Sequence, residues 1–436
     1  MNLAAPFAVH VQILQQRLEA ALHSQYLDGV VISAGIPHVY FADDMEAHFH
    51  PVPHFAHWCP QPGPHHFLVL QPGKKPKLVR WSPQDYWEEH VRPQDAYWCA
   101  SFDILEVPDS RTGWQSLPTV GRWAYIGPET AIAQEWGFQV ETSLLVSHLD
   151  WDRGIKTPYE VLCLEEATSL AAQGHLAAKA AFEAGGSEFE IHIAYLQAVQ
   201  CRDVDLPYTP IVALNEKGAI LHYMYKRTAP RNGQVLLLDA GAPHQGYGSD
   251  ITRTYCTSAA PAEFQDILRG MEKIQQQTCQ KVHAGVSFLE LHHETHMAIG
   301  ALLIETQLLR HCSVEEAVTS GKTTTFLPHG LGHMLGIQVH DVGGLQKNAL
   351  GEPEKRSVQY PRLRTLRKLR EGEIVTIEPG FYFIPMLLEK ARAEDTTGQL
   401  NWPLIDKLRS CGGIRIEDNV HVMANGHRNL TREYLP

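Results

Sequence analysis

The feature that most restricts the fold is a set of carboxylates at the ends of apolar strands. Leu236-Leu-Leu-Asp239 predicts a buried strand that ends in an acid, and a turn-rich segment separates it from a second β-rich run that begins at Ser249-Asp250. The two runs can fold back as neighbours, which brings side chains within about 5 Å of each other. Two buried carboxylates at that distance need a counter-charge. Either a cation lies between them, or one of them caps a turn or pairs with Arg253.

Two more acids lie at the ends of apolar runs, and a histidine completes the set. Thr376-Ile-Glu378-Pro379 places an acid at the end of an apolar strand, and Ile414-Arg-Ile-Glu417 alternates so that Arg415 and Glu417 share a face. His333 lies in a glycine-rich segment that also contains His329 and is followed by His340. A histidine in such a segment is more often a hydrogen-bonded structural residue than a ligand. Buried carboxylates are rare without a partner, however, so the whole set predicts a metal site.

The donor types restrict the metal and the chemistry. Four carboxylates and one imidazole form a hard, oxygen-rich set, which favours Mn²⁺ or Co²⁺, leaves Mg²⁺ and Zn²⁺ as alternatives and disfavours a structural zinc. Two such ions, about 3.5–4 Å apart, would lower the pKa of a bridging water and polarise a carbonyl or phosphoryl oxygen. The site by itself therefore predicts hydrolysis and no particular substrate.

The 436 residues predict two domains. The first, 1–155, combines a helix containing Leu14, Leu18 and Leu22 with short apolar strands, so we expect an α/β domain. Thr157-Pro-Tyr-Glu160 has the form of a capping box that begins a helix, which puts the boundary near 155. The second domain, 156–436, repeats a helix pair followed by strands, with helices predicted over 158–184, 188–201, 261–283 and 288–309. This order predicts an α+β fold of two similar halves that pack helices over one antiparallel sheet.

Charge and hydropathy exclude several classes of function. The chain has 37 Lys+Arg against 49 Asp+Glu, a net charge of −12, which disfavours nucleic acid and anionic membranes as partners. No apolar stretch approaches the roughly 18 to 20 residues that span a bilayer, and no export signal is recognisable, so we expect a cytoplasmic protein. The histidine-rich segment 48–66 contains five prolines and has no zinc-type spacing. It is interpreted as an irregular loop on the surface or at a subunit contact.

In order and local context, the five candidate ligands resemble the dinuclear site of the pita-bread metallopeptidases, family M24, which includes methionine aminopeptidase, aminopeptidase P, prolidase and the metal-free creatinase. The matching motifs are LLLDAG, SDITRT, PHGLGHMLG, TIEPG and GIRIEDN. The local sequence around Leu221-His-Tyr223 and Val339-His-Asp341 is similar to that of the bacterial Xaa-Pro dipeptidases (prolidases of the PepQ type). This subgroup is related to organophosphorus acid anhydrolase. The resemblance implies a pita-bread catalytic domain with pseudo-twofold halves, preceded by a smaller creatinase-like α/β domain.

The resemblance also implies roles for the five ligands. Asp239 would chelate one ion, Asp250 and Glu417 would bridge the two ions, and His333 and Glu378 would complete the shell of the second. Glu378 would in addition carry a proton between the attacking water and the leaving nitrogen. The cofactor implied is two divalent ions per subunit, most often Mn²⁺, with Co²⁺ as the alternative.

Further residues match the substrate-binding groups of the family. His222 and His340 would hydrogen-bond the scissile carbonyl or its tetrahedral intermediate, and Tyr208 matches a tyrosine that precedes the first of these histidines. Arg364 would bind the C-terminal carboxylate of a dipeptide, while the rest of the basic run 362–370 is interpreted as a solvated face. Arg415 would orient a bridging carboxylate.

The most specific hypothesis is a manganese-dependent dipeptidase that cleaves Xaa-Pro with proline at the C-terminal position, in a homodimer. The neighbouring alternatives are an exopeptidase like aminopeptidase P, which accepts longer peptides, and hydrolysis of organophosphate triesters in the same site. An alternative of a different class is a non-catalytic pita-bread module that binds proteins. Such modules lose their metal ligands, whereas all five candidates are present here.

Overall fold

The computed structural model describes residues 2–436 and divides them into two compact units. The first comprises residues 2–162 and 348–352, and the second comprises 163–347 and 353–436. The division falls inside a long helix, Pro158–Glu183, so the boundary predicted near 155 remains our proposal for the domain border. Within the described residues, no helix is both long enough and apolar enough to cross a bilayer.

The secondary structure alternates throughout the chain. The α-helices are α1 Ala4–Ser24, α2 Pro53–Trp58, α3 Ser110–Gln115, α4 Thr130–Glu135, α5 Ser143–Arg153, α6 Pro158–Glu183, α7 Glu188–Val199, α8 Ala262–Gln280, α9 Phe288–Glu305, α10 Val314–Thr319, α11 Lys322–Phe326, α12 Pro385–Glu394 and α13 Trp402–Leu408. The strands are β1 Gly29–Ser33, β2 Phe67–Leu70, β3 Lys77–Trp81, β4 Asp103–Val107, β5 Trp123–Ile126, β6 Ile211–Leu214, β7 Val235–Asp239, β8 Pro243–His244, β9 Tyr247–Gly248, β10 Thr252–Cys256, β11 Ile374–Ile377, β12 Gly380–Tyr382, β13 Gly413–Arg415, β14 Asp418–Met423 and β15 Gly426–Asn429.

The first unit is built on a mixed five-stranded sheet in the order β4-β3-β2-β1-β5. The predicted hairpin is confirmed, since β2 and β3 pair antiparallel across a turn in which Gly73 has a φ of +66°. In α1, Leu14, Leu18 and Leu22 lie on one buried face, as their spacing predicts. The α/β character expected of the N-terminal part is therefore confirmed.

The interpretation of segment 48–66 as an irregular loop is wrong for its central part. Residues 53–58 form α2, with Pro53 in the first turn, where a missing N–H costs nothing. Phe55 and Trp58 are buried in the core, and His57 and His66 are buried as well. His66 contacts the carbonyl of Pro62 through Nε2 at 2.9 Å, so it is a hydrogen-bonded histidine of the interior.

The second unit contains two halves of similar construction. In the first half, α6 and α7 pack on the antiparallel sheet β10-β7-β6, with Phe182 and Ile191 against Leu236 and Leu238. In the second half, α8 and α9 pack on β11-β14-β15. The predicted α+β arrangement of repeated helix pairs over antiparallel strands is confirmed.

The expectation of one continuous antiparallel sheet needs correction. The ladder β11/β14 ends at Ile377–Asp418 and the ladder β12/β13 resumes at Gly380–Arg415, so each strand leaves two residues unpaired between the ladders. Pro379 lies in this break and has no N–H to donate. The residues left out of the ladders include Glu378 and Glu417, and both acids are therefore located at a kink in the sheet.

The basic run 362–370 is also not simply a solvated face. Arg367 is 3% exposed and lies 3.0 Å from the fully buried carboxylate of Glu373, which also accepts from the Nε of Arg370 at 2.9 Å. Among the interactions described, Glu373 has no contact with the metal-ligand candidates; it pairs with the buried Arg367 and the partly exposed Arg370. Arg362 is exposed, as predicted, and Arg364 is exposed as well.

A buried polar cluster joins α1, α2 and the start of α6 in the first unit. His10 contacts the Thr157 hydroxyl through Nδ1 and the His57 carbonyl through Nε2, both at 2.8 Å. Because the carbonyl can only accept a hydrogen bond, Nε2 carries the ring proton. Nδ1 of the neutral ring then accepts from the Thr157 hydroxyl, so both nitrogens have a hydrogen-bond partner. Burial, which outweighs the nearby Glu160 charge, lowers the pKa of His10 to about 4.

The stability of the protein should therefore fall on acidification. Unfolded histidine takes up a proton near pH 6.5 and folded His10 only near 4, so the stabilisation is complete above pH 6.5 and is lost as the pH falls. At pH 5 this one histidine should lower the free energy of unfolding by about 2 kcal/mol. We expect His10→Gln to be destabilised at pH 7 but to lose less stability between pH 7 and pH 5 in denaturant titrations. The control is His23→Gln, an exposed position on the same helix, and an equal pH dependence in both variants would contradict the prediction.

Candidate metal centre

The first two candidate ligands lie at the ends of adjoining strands. Asp239 is the last residue of β7, and Thr252 of β10 is its cross-strand partner. Asp250 precedes β10 by two residues, and its N–H donates to the Asn419 side chain at 3.3 Å. Both acids are buried, with 8% and 6% exposure. The predicted pairing of the two runs is thus confirmed, and it brings both carboxylates to the same end of the sheet.

The other two acids, Glu378 and Glu417, join this group from the kink between the ladders β11/β14 and β12/β13. A β-bridge joins Thr252 to Glu417, and the N–H of Glu417 donates to the Thr252 carbonyl at 3.0 Å. The Thr252 hydroxyl donates to the Glu417 carboxylate at 2.7 Å. Glu378 is fixed through its N–H, which donates to the Leu331 carbonyl at 2.8 Å. The break in the sheet therefore turns two strand acids towards Asp250.

Two hydrogen bonds fix the orientation of His333. Its N–H donates to the Thr376 hydroxyl, and its Nδ1 lies 3.0 Å from the Met334 carbonyl. Because that carbonyl can only accept, Nδ1 must carry the ring proton. Burial lowers the pKa of His333, so the ring is neutral, and the lone pair of Nε2 is directed towards the Asp250 carboxylate at 3.4 Å and the Glu378 carboxylate at 3.8 Å.

The donor atoms of this group are arranged to bind a cation. Asp250, His333 and Glu417 each offer a donor atom, and the three atoms lie within 4.8 Å of one another. Burial, followed by the neighbouring carboxylates, raises the pKa of Asp250, Glu378 and Glu417 well above the ordinary range. A lone pair and three carboxylates that face one another repel unless positive charge lies between them. The chain therefore has a candidate site for divalent metal ions.

Asp239 lies beside this group and is held by two hydrogen-bond donors. Arg415 donates to one of its oxygens at 2.5 Å, and the Tyr208 hydroxyl donates to the other at 2.7 Å. Besides Asp239, Arg415 contacts the Thr252 hydroxyl through Nε at 3.2 Å, and that hydroxyl donates to Glu417. The role of Arg415 in orienting a bridging carboxylate stays a prediction. The substrate-binding role of Tyr208 stays a prediction, since the structure places its hydroxyl on Asp239.

A chain of hydrogen bonds that the sequence did not reveal continues from Arg415. Its Nη1 donates to the Tyr382 hydroxyl at 2.9 Å, and that hydroxyl lies 2.8 Å from Nε2 of His329. His329 Nδ1 lies 2.7 Å from the Gly330 carbonyl, so Nε2 is the acceptor for Tyr382. His329 is itself 4.0 Å from Glu378. Tyr382 could not be found from the sequence because an aromatic residue four positions after Glu378 has no distinctive signal.

The remaining site residues are placed around the same group. The His340 ring is perpendicular to that of His333, with 4.4 Å between centroids. Partial burial, followed by the nearby His333, Arg364 and His222, lowers the pKa of His340 to about 3. His222 and Arg364 both act electrostatically on His340, and the substrate-binding roles of these three residues stay predictions.

A cavity of about 380 Å³ opens beside this group in the second unit. Leu221, Leu327, His329, Leu363 and Ile384 are among its lining residues. The volume lies in the range that encloses a small ligand, and the wall is mainly apolar. Since His329 belongs both to the wall and to the surroundings of Glu378, the cavity adjoins the carboxylates.

Arg253 does not pair with Asp239 or Asp250 among the described ion pairs; it donates to Asp418 at 2.8 Å and to the Glu417 carbonyl, also at 2.8 Å. One buried guanidinium, that of Arg415, contacts the group of four carboxylates. It leaves most of their negative charge unbalanced, as a site for divalent ions requires.

Removing the Tyr208 hydroxyl should weaken metal binding, because Asp239 then loses a donor that fixes its orientation. We expect Tyr208→Phe to bind Mn²⁺ about tenfold more weakly, which calorimetric titration of the metal-free protein would measure. Tyr255→Phe on β10 is the control, because that ring faces the Lys179 ammonium instead of the carboxylates. Equal affinity in Tyr208→Phe and the wild type would show that the hydroxyl does not support the site.

Two family profiles together match most of the chain. Residues 162–424 match the metallopeptidase family M24, and residues 5–151 match the N-terminal domain of Xaa-Pro dipeptidase. Curated relatives include the Xaa-Pro dipeptidases of Shewanella woodyi, 39% identical over 99% of both chains, and of Aeromonas hydrophila, 39% identical over 98% of both chains.

Solved structures show the same fold at lower identity. Aminopeptidase P from Escherichia coli with the inhibitor Pro-Leu superposes with a TM-score of 0.75 at 21% identity, covering 97% of this chain and 95% of that one. The Pseudomonas aeruginosa aminopeptidase PepP gives a TM-score of 0.75 at 23% identity, with 97% and 95% covered. With a matching profile over more than half of its length and full-length relatives near 39% identity, the chain belongs to the metallopeptidase family M24 and is a metallo-hydrolase.

Proposed function

We propose that the protein is a dipeptidase that hydrolyses Xaa-Pro dipeptides, with proline at the C-terminal position, using two divalent ions, preferably Mn²⁺. The observation that supports this most directly is that the similarity to Xaa-Pro dipeptidases extends over both units at 39% identity. The N-terminal match supports the same conclusion, because that profile is specific to Xaa-Pro dipeptidases whereas the C-terminal profile describes the whole family.

In this proposal five residues hold the ions: Asp239, Asp250, His333, Glu378 and Glu417. The ions would supply Lewis acidity and positive charge for attack of water on the amide. Asp250, His333 and Glu417, whose donor atoms lie within 4.8 Å of one another, would form the centre of this metal site. Tyr208 and Arg415 keep the two oxygens of Asp239 in place.

Glu378 is the best-placed residue for proton transfer. Its side chain is 19% exposed, whereas those of Asp250 and His333 are 8% and 5% exposed. It can therefore contact a substrate while the other members of the group remain buried. We propose that the Glu378 carboxylate takes a proton from the attacking water and delivers it to the proline nitrogen, which must leave as a secondary amine.

Three residues are proposed to hold the dipeptide. His222 and His340 would donate hydrogen bonds to the scissile carbonyl oxygen as it gains charge. Arg364 would form a two-point contact with the C-terminal carboxylate, a geometry that suits guanidinium. Arg364 is exposed, so it can accept a ligand without giving up a partner in the interior.

A homodimer in the cytoplasm completes the proposal. Support for the homodimer comes from an exposed apolar segment in the first unit, where Tyr40 and Met45 are 47% and 58% exposed and Phe41 is fully exposed. Exposed apolar clusters of this kind often mark contacts between proteins. Sedimentation of the wild type against Phe41→Ser would test this part on its own.

The substrate assignment can be tested with a panel run on protein loaded with Mn²⁺ and on metal-free protein. We expect Ala-Pro to be hydrolysed, Ala-Pro-Ala to be cleaved at least tenfold more slowly, and Ala-Ala to be a poor substrate. A phosphotriester should be hydrolysed only slowly, because it has no proline ring to fill the part of the site that would bind proline. All rates should depend on added Mn²⁺.

Each alternative gives a different pattern in this panel. Faster cleavage of the tripeptide than of the dipeptide would identify an exopeptidase like aminopeptidase P and contradict the proposal. A protein without any peptide hydrolysis and without bound or titratable divalent metal would instead be a binding module. Asp250→Asn is the matched control, since it keeps the side-chain size and removes a shared carboxylate; activity equal to the wild type would exclude the proposed metal site.

A further inference from the structure

His222 lies in a segment that has no regular secondary structure to hold it. Residues 220–230 follow a short 3-10 turn, Asn215–Ala219, and precede β7. His222 itself is exposed, whereas the next residue, Tyr223, is 4% exposed and packs with Ala213, Leu237 and Tyr382. Something other than a strand or helix must therefore fix the direction of this histidine.

The Glu188 carboxylate provides that anchor. Glu188 is the first residue of α7 and is fully buried. Its Oε1 accepts from the N–H of Leu214 at 3.0 Å, and its Oε2 accepts from the Tyr223 hydroxyl at 2.9 Å and from the N–H of Arg227 at 2.8 Å. The donors come from the residues before and after His222, so one carboxylate holds both ends of the segment.

The Arg227 side chain adds further hydrogen bonds between Glu188 and the same segment. Its Nη2 donates to Glu188 at 2.6 Å and to the Leu214 carbonyl at 3.1 Å, and its Nη1 donates to Glu216 at 3.0 Å. Its carbonyl accepts from the N–H of Phe189 in the first turn of α7. The partly positive N-terminal end of a helix also favours a carboxylate at this place. The Glu188–Arg227 pair is thus connected to β6, to α7 and to both sides of His222.

From these contacts we infer that Glu188 and Arg227 are positioning residues, which fix the segment 214–227 so that His222 faces the substrate. The inference rests on the proposed function, because it takes His222 to be the group that contacts the scissile carbonyl. Neither Glu188 nor Arg227 is among the residues that surround the carboxylate group, so both act only through the segment.

Glu188→Gln is the direct test, because it keeps the shape of the side chain and replaces one accepting oxygen by an NH₂ group. Both oxygens of Glu188 face donors, so the new NH₂ group must face a donor as well. We expect kcat/KM for Ala-Pro to fall on the order of tenfold to a hundredfold, as displacement of a catalytic group commonly causes. The Mn²⁺ content should stay at the wild-type value, and Arg227→Lys, which keeps the charge but loses the planar fork, should give a smaller loss.

A double-variant cycle separates positioning from general destabilisation. If Glu188 acts through His222, Glu188→Gln should cost less than about twofold in a His222→Asn background, because the group that it positions is already lost. Ser187→Ala is the matched control: Ser187 caps the same helix end through Glu190 and contacts no residue of the segment among the hydrogen bonds described. We expect it to lower stability and to leave kcat/KM unchanged. Full additivity of the two losses would overturn the inference.

Amide hydrogen exchange on the metal-free protein gives a readout that does not depend on activity. Exchange in residues 214–227 should be faster in Glu188→Gln than in the wild type and unchanged in Ser187→Ala. Unchanged exchange in Glu188→Gln would overturn the inference even if activity fell. A wild-type enzyme that fails to cleave Ala-Pro with Mn²⁺ would instead contradict the proposed function, so the two failures can be told apart.

Discussion

The mutual repulsion of buried carboxylates is the constraint on which the rest of the catalytic unit depends. Asp250, Glu378 and Glu417 converge on the lone pair of His333 in an interior where burial raises the pKa of each carboxyl group. A fold that brings these groups together gains nothing from their contact. The arrangement becomes favourable when divalent ions bind, so folding around this site and metal binding should be strongly linked.

The architecture around the site serves to turn strand residues inward. Pro379 interrupts the ladder at the point where Glu378 and the opposing Glu417 leave it, and the bridge from Thr252 to Glu417 joins the two halves of the unit. Hydrogen bonds from Thr252, Tyr208 and Arg415 then fix individual oxygens. The irregular part of the sheet is thus where the chemistry lies, while the regular ladders on either side are packed against helices and provide rigidity.

Much of this could be predicted from the sequence because the signals are local. Acid-ended apolar runs identified the candidate ligands, and helix caps identified α6 and α7 at their first residues. Pairings between individual side chains could not be predicted in the same way. The sequence does not show that Arg415 meets Asp239, or that the buried Glu373 neutralises Arg367, since strand order and side-chain direction decide such pairs. The helix formed by residues 53–58 was missed because five prolines masked a short apolar pattern.

Anomalous diffraction at the manganese absorption edge would test the central claim most directly. Crystals of the wild-type protein grown with Mn²⁺ should show two peaks per chain, both enclosed by Asp239, Asp250, His333, Glu378 and Glu417, and separated by about 3.5–4 Å. Crystals of Asp250→Asn, grown in the same way, should lose at least one of the two peaks. A single peak in the wild type, or peaks away from these five side chains, would contradict a dinuclear site.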